Sequence, residues 1–158
     1  MNLITRSLCA RASKPCKVEG TSAPIQETGT MSDDLLKTGN QLRAEVIGQA
    51  HHDAALANAT PFDMPFQELA LRYCWGEIWA RPGLSRKARS MINLSMLVAL
   101  GKPNELKIHI RGALTNGITK EEIQEIFLQT CIYCGVPAAG EAFKMAKEVF
   151  AEPEFAST

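Results

Sequence analysis

From Asp33 to about Ala151, apolar residues recur at intervals of three and four, and a glycine or proline stands at nearly every break in the pattern. That spacing gives each of several helices one apolar stripe. No stretch alternates apolar and polar residues as a half-buried strand would. The chain is therefore predicted to be all-α: a compact bundle of about six helices joined by short turns.

The helix ends can be read one by one. DDLLKTGNQLRAEVIGQAHH is predicted as one helix, with Leu35, Leu42, Val46 and Ile47 inward and acids at its start. PFDMPFQELALRYCWGEIW opens on prolines, and its buried face is predicted at Phe66, Leu69, Ala70, Tyr73 and Cys74. Ser85 can cap RKARSMINLSMLVAL, which Gly101 stops. Pro103 opens NELKIHIRGALTNG, closed by Gly117. Thr119 and Glu122 form a T-x-x-E capping box. The helix they start carries Ile123, Ile126, Phe127, Thr130, Cys131 and Cys134 on one stripe. Gly135 ends it, and Pro137 opens a last helix through Phe143, Met145 and Val149.

Composition removes several function classes. Seventeen Lys and Arg balance 17 Asp and Glu, so a basic nucleic-acid-binding surface has no support. The longest apolar run, Met91 to Leu100, is broken by Asn93 and Ser95 and falls short of the ~20 residues needed to span a bilayer. Five cysteines (Cys9, Cys16, Cys74, Cys131, Cys134) are an odd number and argue against a disulfide framework. A reducing, cytoplasmic setting is expected. So many apolar helical faces in a chain of 158 residues also suggest a homo-oligomer.

Residues 1–30 are set apart from the domain at 31–158. Arg6, Arg11, Lys14 and Lys17 all precede the first acid, Glu19. Three readings stand: a weak mitochondrial targeting segment, a disordered tail, or a start placed upstream of a true one at Met31.

Four features bear on chemistry. Along the helix opened by Pro103, Glu105, His109, Gly112 and Asn116 fall beside one another at the edge of the apolar stripe. Glu105, four residues before His109, can orient the imidazole or raise its pKa, and Gly112 leaves room for a ligand. The same pattern also fits a boundary histidine with a solvated partner. The tract WGEIWARPG holds both tryptophans, Trp75 and Trp79, with Glu77 and Arg81, and Arg86 and Arg89 follow. Arginines beside apolar aromatic walls suit a small anion, though they equally suit a helix end. Cys131 and Cys134 make a C-x-x-C, but both lie on the apolar stripe and read as buried core. A single such pair with scattered histidines is a poor zinc site, so no metal is expected. His51 and His52 close the first helix, where one of them can face a cleft.

The stretches RYCWGEIWARPGLSRKARSM, ELKIHIRGALTNGITKEEIQEIFLQTCIYCGVPAA and AFKMAKEVFAE, with LRAEVIGQAH before them, resemble the 4-carboxymuconolactone decarboxylase family. The resemblance runs from about Leu35 to Glu152. It implies an alkylhydroperoxidase-D-like all-α fold assembled as a homohexamer. It further implies cofactor-free decarboxylation of 4-carboxymuconolactone to the 3-oxoadipate enol-lactone in aromatic catabolism, by the β-ketoadipate pathway. The redox branch of that superfamily carries C-x-x-C-x-x-x-H on the matching helix. Here Lys102 and Glu105 occupy the cysteine positions before His109, so the histidine stays without the thiol pair.

On this reading His109 is the proton donor and Glu105 orients it. Arg81, Arg86 or Arg89 binds the substrate carboxylates, and Glu77 and Trp79 line the pocket. Other functions compatible with the residues are a same-fold lyase on another activated carboxylate, a thiol-dependent peroxidase using Cys131 and Cys134, and a non-catalytic binding protein.

Overall fold

The computed structural model describes residues 29–156. The segment through residue 28, on which the targeting, tail and start-site readings rest, lies outside them, as do Cys9 and Cys16. The described residues form α1 (Gly29–Ile47), α2 (Gln49–Ala57), α3 (Met64–Leu69), a π-helix here called π1 (Ala70–Trp79), α4 (Arg86–Ala99), α5 (Pro103–Thr115), α6 (Lys120–Cys134) and α7 (Val136–Phe150). The all-α architecture is as predicted, with more and shorter elements than the pattern suggested.

Two local causes account for the difference. Gly48 has φ 95°, a left-handed conformation that ends α1 and redirects the chain into α2. His51 and His52 therefore stand in the first half of α2, not at the end of one long helix. After α3 the backbone widens into i→i+5 bonding, at about 4.4 residues per turn. Residues four apart then line up closely, and π1 buries Leu71, Trp75, Gly76 and Trp79. The predicted face is turned outward: Phe66, Leu69, Tyr73 and Cys74 are exposed, and only Ala70 is half-buried.

The caps that were read from sequence form. Ser85 Oγ accepts from the Ala88 amide at 3.1 Å. Thr119 Oγ1 accepts from the Glu122 amide at 3.2 Å while Glu122 Oε2 accepts from the Thr119 amide at 2.9 Å. α4, α5 and α6 stop at the expected glycines.

Packing divides into two apolar clusters. The larger joins α4 to α7 through residues such as Leu94, Ile110, Phe127 and Val149, with Phe127 and Phe143 edge to face at 5.6 Å. The smaller holds Val46 and Ile47 of α1 against Leu71, Trp75 and Trp79 of π1. α5 lies between them, sending Ile110 into the first and Ile108 toward the second. α1 meets both neighbours backbone to backbone. A Cβ at Gly39 would stand 1.9 Å from the Leu71 carbonyl oxygen, and one at Gly76 2.2 Å from that of Leu35. At Gly112 the corresponding distance to the Val46 carbonyl oxygen is 2.5 Å. The space predicted there for a ligand is filled by α1.

The C-x-x-C also departs from expectation. α6 buries Ile123, Phe127 and Thr130, but Cys131 is half-buried and Cys134 exposed. Cys134 keeps the angle of the stripe yet is the last residue of α6, past the end of the core. It borders a groove of about 520 Å³ between α4 and α6 that Met91, Ile92, Met96 and Tyr133 also line.

Candidate active site

His109 reaches the boundary between the two clusters because α5 commits its neighbours elsewhere. Leu106, Ile110 and Ala113 are buried in the larger cluster, which rotates His109 toward π1. There its ring lies parallel to Trp75, with centroids 6.4 Å apart and planes at 6°. Trp75 in turn stacks on Trp79 at 5.1 Å and 26°. The wide turn of π1 is what aligns the two indoles, and the imidazole extends their row.

Burial pulls the His109 pKa down to about 4, and the His51 side chain pushes the same way. Glu105 acts in the opposite, predicted direction, but desolvation outweighs it. The imidazole is therefore neutral at pH 7 in the free chain. Glu105 is exposed in the first turn of α5, and among the described residues no hydrogen bond joins it to His109. Its influence is that of a charge four residues away.

The predicted arginines gather at the turn between π1 and α4. Arg86 forms an ion pair with Glu45 of α1 at 2.5 Å. Arg89 Nη2 donates to the Arg81 carbonyl at 2.9 Å, while its Nε is buried without a partner. The Arg81 side chain is exposed. Trp79 sits behind Trp75 in the stack, mostly buried. Glu77 is exposed, two residues from each tryptophan and so on the opposite side of π1. Asn116 is committed to structure, its Nδ2 donating to Ser90 Oγ at 3.1 Å.

Two further basic groups belong here: Arg43, which the sequence pattern did not single out, and His51, read there as one of two histidines able to face a cleft. Arg43 is only 7% exposed, and its Nη1 donates to Gln67 Oε1 of α3 at 2.9 Å. It shares the buried face of α1 with Gly39, Val46 and Ile47, a spacing visible in LKTGNQLRAEVI had arginine been allowed inward. His51 is exposed, within the electrostatic reach of Arg43 and of His109. Desolvation, then the charge of Arg43, keeps the pKa of His51 and His52 below the usual imidazole value. Among the described residues no group of three or more His, Cys, Asp or Glu side chains is placed to hold a metal ion, and no helix is long and apolar enough to cross a membrane.

The arrangement offers a half-buried neutral imidazole against an indole wall, with arginines on the neighbouring elements α1 and α4 and on the turn after π1. It can deliver or accept one proton beside a bound anion. The sequence agrees with a known group of proteins. Residues 65–148 match the model of the carboxymuconolactone decarboxylase family. The 4-carboxymuconolactone decarboxylase of Acinetobacter baylyi is 43% identical over 114 residues, covering 72% of this chain and 85% of that protein. Nitrosuccinic acid decarboxylase of Metarhizium robertsii is 44% identical over 108 residues, covering 68% of this chain and 76% of that one. His109, Trp75, Trp79, Arg81, Arg86 and Arg89 all fall inside the matched segment, and on these grounds the chain belongs to the carboxymuconolactone decarboxylase family.

Proposed function

We propose that this protein is a carboxy-lyase that converts 4-carboxymuconolactone to the 3-oxoadipate enol-lactone and CO2 without a cofactor, within protocatechuate catabolism. The observation that carries the reading is the His109 imidazole, neutral and stacked on Trp75, in a chain 43% identical to a 4-carboxymuconolactone decarboxylase. In that substrate the departing carboxylate sits on a ring carbon conjugated through a C=C bond to the lactone carbonyl. Breaking the C–CO2 bond sends its electron pair through the double bond onto the carbonyl oxygen, giving a dienolate. The substrate is its own electron sink, so the protein must bind, stabilise the enolate and protonate a ring carbon.

His109 supplies that proton. The negative charge of the bound substrate lifts the imidazole pKa from its low resting value, and the charge of Glu105 adds to the lift. Arg81, Arg86 and Arg89 attract the carboxylates, with Arg81 the least committed of the three. Trp75 and Trp79 exclude water from one side, and Glu77 belongs to the outer rim. The protein works in a reducing, cytoplasmic compartment as a homo-oligomer, a hexamer by family resemblance. The exposed apolar residues on α4 and α6 support the self-association.

A second reading has a specific observation behind it. Percentage identity to nitrosuccinic acid decarboxylase, 44%, is level with that to the lactone enzyme, 43%, over a slightly shorter match. Both names denote acids with two carboxyl groups, one of them lost next to an electron-withdrawing group. The substrate class is thus a dicarboxylate activated at one end, and pocket details select its identity. Incubation with each compound, following CO2 release and the enol-lactone absorbance, decides between them. Turnover of the lactone is expected, and turnover of nitrosuccinate alone would select the second reading.

A further inference from the structure

Arg43 is a buried cation that the fold does not neutralise. Among the described residues no carboxylate lies within ion-pair distance of it, and its one side-chain partner is the neutral amide of Gln67 at 2.9 Å. The nearby acids are engaged elsewhere. Glu45, two residues on, holds Arg86, Glu68, beside Gln67, faces Arg72 at 3.8 Å, and Asp63 accepts from Thr60. An arginine only 7% exposed and without a counter-ion is costly to hold, and an anion bound beside it would offset that cost. Its place in the fold agrees. Arg43 shares the buried face of α1 with Val46 and Ile47, which pack in one cluster with Trp75, and Cys74, the residue before Trp75, lies in the field of Arg43.

We propose that Arg43 is the anchor for the carboxylate that the substrate keeps, and so a specificity-determining residue for dicarboxylates. The choice of carboxylate follows from transition-state logic. A cation fixed on the departing carboxylate would stabilise the ground state and lose its partner as CO2 forms, raising the barrier. The same cation on the retained carboxylate binds ground and transition state alike and holds the reacting end in place. The bidentate fork of arginine suits that task better than a lysine. This inference rests on the carboxy-lyase reading for its kinetic consequence, but the anion site can be tested without turnover.

The experiment compares the wild-type protein with Arg43→Met on the dicarboxylate and on its monoester at the retained carboxyl. A rise of about 10- to 100-fold in KM for the diacid, with kcat little changed, is expected for loss of a charge-assisted pair. The monoester should show no difference between the two proteins. Equal losses on diacid and monoester would overturn the anchor in favour of a structural role, as would an unchanged KM. Calorimetric titration with succinate and monomethyl succinate gives the same comparison independently of catalysis. Succinate binding that Arg43→Met abolishes keeps the anchor even where the lactone is not turned over, in which case only the lactone reading falls. Succinate binding that is absent from wild type, or survives the substitution, overturns the anchor. Should Arg43→Met not fold, Arg43→Lys is read by the same criteria, with a smaller expected loss.

Discussion

The proton chemistry proposed here hangs on one imidazole. His109→Ala should lower kcat by ~10²–10⁴, the range for a removed general acid, as measured by CO2 release at saturating substrate. Near-normal kcat in that variant would take His109 out of the reaction. The same residue marks the stability of the chain. Its native pKa of about 4 lies below the unfolded value near 6.5, so the unfolded state takes up a proton first as pH falls. Stability from His109 is complete above pH 6.5 and lost progressively down to pH 4. The depressed His51 and His52 add in the same direction. The paired carboxylates Glu45, Glu122, Glu148 and Glu152 weaken only below their own unfolded pKa near 4.5. Urea midpoints should therefore fall between pH 6.5 and 5, and fall less in His109→Gln. A flat profile in the wild type would contradict the buried neutral histidine. At this scale the sequence showed His109 and the tryptophans, because aromatic and titratable residues on a helix edge are visible in spacing. It hid Arg43, since inward arginine looks like an error of pattern until the neighbouring helices are in place.

Helix ends answered to sequence because they are local. The Thr119–Glu122 box closes on itself within four residues, and Thr119→Ala should cost about 1 kcal/mol in chemical denaturation. Contacts between elements were less legible. Gly112 read as open space, but the α1 backbone occupies it, so Gly112→Ala should destabilise by on the order of 3 kcal/mol. A variant of unchanged stability would mean that α1 and α5 do not approach so closely. The outward turn of Tyr73 and Cys74 has a different source. Stripe prediction assumes 3.6 residues per turn, and π1 abandons that period, carrying Trp75 and Trp79 inward instead. π-helical turns are uncommon and concentrate at functional sites, which fits the position of this one beneath His109.

At the scale of the whole molecule, the all-α architecture of the described residues followed from periodicity, while the extent of exposed apolar surface did not. Ile132 and Tyr133 are 80% and 82% exposed at the end of α6, next to a groove also lined by Ile92 and Met96. A surface of that kind on an isolated chain suggests association with further copies. Sedimentation should show a multimer, and Ile132→Asp combined with Tyr133→Glu should shift it to smaller species. A monomeric wild type would leave that face to some other partner.

The row formed by Trp79, Trp75 and His109 also makes the protein its own optical reporter. These are the chain's two tryptophans, so all indole emission originates in a stacked pair of which one member lies 6.4 Å from the proposed proton donor. Imidazolium quenches indole fluorescence and neutral imidazole does so far less. Emission should stay bright in the free protein at pH 7 and dim when a dianionic ligand protonates His109. In His109→Gln the dimming should vanish, which turns a spectrometer into a direct gauge of the proton.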